Sequence, residues 1–219
     1  MIPESATKRL ICRDCLRPQS TCICQWVSPV ASTVDVLVLQ HPMEVHNAKG
    51  TARLLHLSLS GSSLHTGEVF GPDDLQALLY ADGRLPVLLY PETPDDKALG
   101  LIPAPPLQPA LLQDPSQLRL IVLDGTWRKS RKMLYLNPLL QQLPRLPLRD
   151  PPASQYLIRK AHGEHQLSTL EAVCYALMAL EGDDGKYQPL LQAFNGFVVQ
   201  QGAYASDVNH MQASQKPAG

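Results

Sequence analysis

The stretch Leu118-Arg119-Leu120-Ile121-Val122-Leu123-Asp124-Gly125-Thr126-Trp127 decides the fold. Its first six residues are an apolar, branched run broken by a single arginine, the length and composition of a buried strand. The polar group Asp124-Gly125-Thr126 ends it, and from Trp127 to about Leu143 the pattern turns helical, with Pro138 placed to kink or split the helix. A strand feeding directly into a helix is the unit of a parallel α/β sheet, and it leaves its polar residues at the carboxyl end of the strand.

Outward from this unit the same alternation recurs. Val34 to Leu39 reads as a buried strand, and Asn47 to Leu59 has helical spacing at Ala48, Ala52, Leu55 and Leu59. Gly71-Pro72-Asp73-Asp74 carries a helix-start signature before Leu75 to Tyr80, and Leu85 to Tyr90 reads as a strand stopped by Pro91. Seven prolines between Pro91 and Pro115 predict an ordered loop. Tyr156-Leu157-Ile158 reads as a further strand, Leu167 to Leu180 as a helix, and a last helix runs from Gln188 towards Ala205, with a loose tail after His210. The expected fold is α/β, a mainly parallel sheet flanked by helices. Residues 1–29 form an appendage, 30–210 the main domain and 211–219 the tail.

A chain of 219 residues with 44% hydrophobic and 18% charged residues can bury a core without disulfides. Its longest apolar runs fall far short of a membrane span, and Met1-Ile2-Pro3-Glu4-Ser5 lacks the apolar stretch of a signal peptide, so a cytoplasmic protein is expected. The formal charge of −1 hides a segregation. Between Arg128 and Lys160, Arg128, Lys129, Arg131, Lys132, Arg145, Arg149, Arg159 and Lys160 face one acid, Asp150, and Lys8, Arg9, Arg13 and Arg17 make a second basic segment. A solvated basic face explains one such run; two of them in a chain with a metal motif point to a polyanion such as nucleic acid.

Cys12-x2-Cys15 and Cys22-x-Cys24 place four thiols within thirteen residues, a ligand set for one tetrahedral zinc ion. A redox dithiol would use one pair and leave the other unexplained. Four thiolates leave no open coordination position, so the metal is structural. Cys174, on the apolar side of a helix, reads as a core residue.

Ligands of open α/β sheets bind where strands end. The loops there are Gln40-His41-Pro42-Met43-Glu44, with Asn47-Ala48-Lys49 just beyond; Pro91-Glu92-Thr93; Asp124 to Lys129; and Arg159 to Glu164, leading to Ser168-Thr169-Leu170-Glu171. Each has a plain structural reading. Asp124 fits a helix N-cap, Ser168-x-x-Glu171 a capping box, and His41 or His165 a satisfied surface histidine. Trp127, so close to a strand end, fits a pocket wall or a stacking surface for a base.

Taken in order, Cys-x2-Cys…Cys-x-Cys, His41-Pro42-x-Glu44, Asp124-Gly125-Thr126-Trp127 and Leu167-Ser168-Thr169-Leu170-Glu171-Ala172 resemble the DTW-domain family. The resemblance implies a tRNA-uridine aminocarboxypropyltransferase related to the SPOUT superfamily, with a C-terminal trefoil knot. Its donor is S-adenosylmethionine, whose 3-amino-3-carboxypropyl group moves to N3 of a tRNA uridine with release of 5′-methylthioadenosine. On that reading Asp124, Thr126 and Trp127 form the catalytic group, with Asp124 either the base for N3–H or the holder of the donor's amino group or ribose. Leu123, Gly125, Ile158, Arg159, Leu167, Ser168, Thr169 and Glu171 border the donor, and Pro91 and Thr93 form the other wall. His41, Glu44 and Lys49 face the uridine or the donor carboxylate, while Arg128, Lys129, Arg131, Lys132 and Lys160 hold the tRNA backbone. The variable loop of the tRNA is favoured over the D-loop. Two alternatives stand beside this: a SPOUT-type RNA methyltransferase with the same donor, and a non-catalytic zinc-containing RNA-binding module.

Overall fold

The computed structural model describes residues 10–92, 100–149, 151–152, 154 and 167–213, the last nine as backbone only. Five strands form one parallel sheet in the order β2-β1-β4-β3-β5: β1 (Val30–Gln40), β2 (Leu59–Thr66), β3 (Leu85–Leu89), β4 (Leu118–Asp124) and β5 (Arg145–Leu146). The helices are α1 (Ala52–Ser58), α2 (Pro72–Leu79), α3 (Trp127–Leu136), α4 (Pro138–Gln141), α5 (Thr169–Glu181) and α6 (Gln188–Ala213).

Side chains of period two divide the core between the two faces of the sheet. Val34, Val36, Val38, Leu120 and Val122 pack with Leu55 of α1, Val173 and Leu177 of α5, and Phe194 and Phe197 of α6. Leu37, Leu39, Ile121 and Leu123 pack on the other face with Leu75 of α2, Met133 and Leu134 of α3, and Leu140 of α4. β4 is central and buried at every residue, which is why it reads as a continuous apolar run and not as an alternation. Its one charged residue, Arg119, is buried against Asp35 at 2.5 Å and donates to the Leu78 carbonyl at 2.6 Å, tying α2 to the sheet.

Several boundaries differ from the sequence reading, each for a local reason. Residues 47–50 form turns, with the Asn47 and Gly50 N–H groups bonded to the Glu44 and Asn47 carbonyls, so α1 starts only at Ala52. Leu59 opens β2, a strand whose Ser60-Gly61-Ser62-Ser63 core has no apolar pattern because it pairs with β1 at the sheet edge. Pro138 does split the helical run after Trp127: it is the first residue of α4, with Asn137 between the two helices. The last helix continues past Ala205 and His210 to Ala213. The Tyr156–Ile158 strand lies outside the described residues, as do Thr93, Ile158, Arg159 and Lys160; the fifth strand among the described residues is the two-residue β5.

Candidate active site

β1 and β4 end side by side, with Gln40 and Asp124 in register. The chain leaves β1 for α1 on one face and β4 for α3 on the other, so their carboxyl ends form a topological switch point, the place where open α/β sheets bind ligands. Asp124 stands there with 5% of its surface exposed. Its carboxylate accepts from Gln40 Nε2 at 2.9 Å and from Thr169 Oγ1 at 2.6 Å. Its carbonyl accepts from the His41 N–H at 2.9 Å. Asp124 does not cap α3. Thr126 does that, accepting from the Lys129 N–H, and the cap leaves the Asp124 carboxylate to face the opposite side of the sheet. A Cβ on Gly125 would come within 3.1 Å of Lys129 Cβ, so a side chain in the turn between Asp124 and the cap would crowd the first turn of α3.

The other wall is the N-terminus of α5. Ser168 and Glu171 form a full capping box: the Glu171 N–H reaches Ser168 Oγ at 3.2 Å and the Ser168 N–H reaches Glu171 Oε2 at 2.8 Å. The Leu170 N–H donates to Thr51 Oγ1 at 3.2 Å. These bonds fix Thr169, the first helical residue, against Asp124, and the positive end of the thirteen-residue helix meets the carboxylate. Leu167 is half-buried just before the cap, and the Glu171 carboxylate also accepts from Ser154 Oγ. Beyond Glu171 a cavity of about 240 Å³ opens between α5 and α6, lined by Pro152, Tyr175, Leu191 and Phe194.

A charged network ties α3 to the loops after β1 and β2. Lys129 Nζ lies 2.7 Å from Glu44, whose second oxygen accepts from Asn47 at 2.6 Å. Lys132 Nζ lies 2.9 Å from Glu68, whose other oxygen lies 2.8 Å from His41 Nε2. His41 Nδ1 accepts from the Met43 N–H, so Nε2 carries the proton towards Glu68. The Lys132 ammonium, with His41, holds the Glu68 carboxyl below the usual carboxylate range. His41 and Glu44 are thus buried and engaged with protein partners, Lys129 and Lys132 stand in ion pairs, and Arg128, Arg131 and Lys49 are exposed. Glu68 was not visible in the sequence, because the strand that precedes it has no strand pattern.

On the β3 side, Trp127 meets Tyr90 edge-on, with centroids 5.9 Å apart and planes at 78°. The Arg145 guanidinium lies 5.3 Å from the Tyr90 centroid, on that ring's face. Tyr90 is buried and Trp127 is 52% exposed, so the indole is braced from within and open outward. Pro91 follows Tyr90 at the end of β3, and Leu123 lies in the core below.

The four cysteine sulfurs lie within 4.8 Å of one another. Cys12 and Cys24 are 3.6 Å apart and Cys15 and Cys22 3.7 Å. A zinc tetrahedron with Zn–S of about 2.3 Å has edges of about 3.8 Å, so the thiols fit one ion, and they are far too distant for disulfides. Backbone N–H groups of Cys15 and Asp14 draw the Cys12 thiol down to about 7, whereas burial pushes Cys24 up. This knuckle docks on α6: Trp26 lies across Gly196, where a Cβ would fall 2.1 Å from the indole, and donates to Gln200 Oε1 at 2.5 Å.

Residues 9–202 match the model of the DTW domain. The chain belongs to the DTW-domain family. This DTW protein is similar to tRNA-uridine aminocarboxypropyltransferase 2 of Macaca fascicularis, at 29% identity over 91% of this chain and 67% of that protein. It is 28% identical to the Drosophila melanogaster protein of the same name, over 86% of this chain and 74% of that one. Similarity to tRNA-uridine aminocarboxypropyltransferase A of Arabidopsis thaliana, 27% identical, covers 61% of this chain and 53% of that protein. No solved structure matches. Among its described residues, this DTW protein has no helix long and apolar enough to cross a membrane.

Proposed function

We propose that this DTW protein transfers the 3-amino-3-carboxypropyl group of S-adenosylmethionine to N3 of a tRNA uridine. The observation that carries the reading is the buried Asp124 carboxylate, held by Gln40 and Thr169 at the carboxyl ends of β1 and β4, with an exposed tryptophan and two exposed arginines on the helix that follows β4. In the reaction the uridine N3 bonds to the γ-carbon of the donor, the C–S bond breaks with its electron pair going to sulfur, and 5′-methylthioadenosine leaves. All three carbons on the sulfonium are electrophilic, so the protein must present the γ-carbon rather than the less hindered methyl. Placement of that kind is worth up to about 7–11 kcal/mol.

Asp124 takes the N3 proton in this scheme, a contribution typically worth about 10²–10⁴-fold. A specific observation favours a second role. Two side-chain donors and the α5 N-terminus all support its charged form, which suits a group that holds the cationic donor. Trp127 stacks on a base of the RNA, and Arg128 and Arg131 neutralise phosphates. The target base is unpaired or extruded, since pairing hides N3. The four cysteines hold structural zinc.

The experiment is mass spectrometry of nucleosides and small products after incubation with tRNA and S-adenosylmethionine. Aminocarboxypropyl-uridine with 5′-methylthioadenosine is expected; S-adenosylhomocysteine with a methylated base, or RNA binding without donor binding, overturns the proposal. Asp124→Asn separates the two roles. Lost transfer with donor affinity retained makes Asp124 the base, and loss of both makes it the donor's anchor.

A further inference from the structure

The cysteine knuckle lies apart from the carboxyl ends of β1 and β4, yet one of its side chains reaches into the loop that builds the site. Arg17 donates from Nη1 to the Ala48 carbonyl at 2.7 Å and from Nη2 to the Gly50 carbonyl at 2.9 Å. Its own carbonyl accepts from the Cys12 N–H at 2.8 Å, so its backbone is part of the knuckle. Leu16, between Cys15 and Arg17, takes a left-handed conformation with φ 59°, which turns the chain back at that point. The guanidinium also lies 5.2 Å from the centre of the Phe197 ring on α6.

The loop that Arg17 grips has two functional ends. Asn47 holds Glu44, which holds Lys129. Thr51, buried, receives the Leu170 N–H at the start of α5, next to Thr169 and its bond to Asp124. We infer that Arg17 is a positioning residue that transmits the geometry of the metal knuckle to the Asp124 centre through the 47–51 loop. A planar guanidinium offers N–H donors in a fixed fork, which the carbonyls of Ala48 and Gly50 match; a lysine ammonium carries the charge but not the fork. The inference rests on the Asp124 centre being the reaction site, and its principal readout is structural, so the two fail separately.

The test uses the full chain with zinc bound. Arg17→Lys is compared with Arg53→Ala, which removes the other arginine contact on the knuckle, the bonds from Arg53 to the Asp14 carbonyl. Zinc content, amide hydrogen exchange and steady-state kinetics are measured on each. Arg17→Lys is expected to keep its zinc, to speed exchange at Leu170 and across 47–51 by about tenfold, and to lower kcat about 10- to 100-fold with little change in the KM for tRNA. Arg53→Ala keeps the Leu170 amide as protected as in the parent. Stripping zinc from the parent reproduces the Arg17→Lys exchange pattern. Parental exchange in Arg17→Lys, equal disturbance by both variants, loss of zinc from Arg17→Lys, or a Leu170 amide indifferent to stripping overturns the assignment. If no form transfers the group, the exchange data still decide the role of Arg17.

Discussion

Trp127 combines two properties that core tryptophans do not share: its edge is buttressed by Tyr90, and half of its surface is open. A ring held in one orientation loses little entropy when a base stacks on it, and such stacking is worth about 1–3 kcal/mol per base. Trp127→Ala is therefore expected to weaken tRNA binding by about 5- to 150-fold while donor affinity stays near parental. Filter binding with tRNA and calorimetry with the donor check this. A fall in donor affinity alone would move the indole from the RNA to the donor. His41 teaches the opposite lesson about single residues. The sequence marks it beside a strand end, but the fold spends both ring nitrogens on Met43 and Glu68. Those two bonds hold the loop after β1.

At the scale of elements, the N-terminus of α5 joins fold to chemistry. Ser168 satisfies the Glu171 N–H and so fixes the turn from which Thr169 reaches Asp124. Ser168→Ala is expected to cost about 1 kcal/mol, lowering Tm by about 2–4 °C for a chain this long, and to reduce transfer more than that loss of stability explains. Thermal unfolding beside a kcat measurement checks both. The capping box was legible because its two residues lie three apart in sequence and its pattern is local. β4 was legible for a different reason: a central parallel strand is buried on both faces and shows it in an unbroken apolar run. β2 was not. An edge strand of serines and glycine depends on β1 for its hydrogen bonds and carries no pattern of its own. Missing it hid Glu68, which is recognisable only as the residue in the loop after that strand. The Lys129–Glu44 and Lys132–Glu68 pairs were hidden for the same kind of reason, since a basic run reads as a face for phosphate until its long-range partners are known.

At the scale of the molecule, the cysteine knuckle is continuous with the core rather than hung beside it: Cys12, Cys15 and Ile23 are buried in the same cluster as α5 and α6. Removing a metal bound by the four cysteines should therefore loosen α5 and α6 as well as the knuckle itself. The pH dependence follows from the ligands. Zinc binds thiolates, so protons compete with it, and the stability that zinc adds is present at alkaline pH and lost as the pH falls. Cys12, drawn down to about 7 by the N–H groups of Cys15 and Asp14, gives up its proton first on the way up in pH. Burial pushes the Cys24 thiol up, so zinc binding there would have to displace a proton. Zinc affinity should thus fall by more than tenfold per unit as pH drops below about 7, because more than one proton returns for each ion released. The gap in Tm between zinc-loaded and stripped protein, followed from about pH 8 to about pH 5.5, should close over that range, and a colorimetric chelator should report the ion leaving in step. A Tm gap that stays constant while zinc leaves would mean that the knuckle folds without its metal. It would also separate the ion from the packing that Trp26, Arg17 and α6 provide around it.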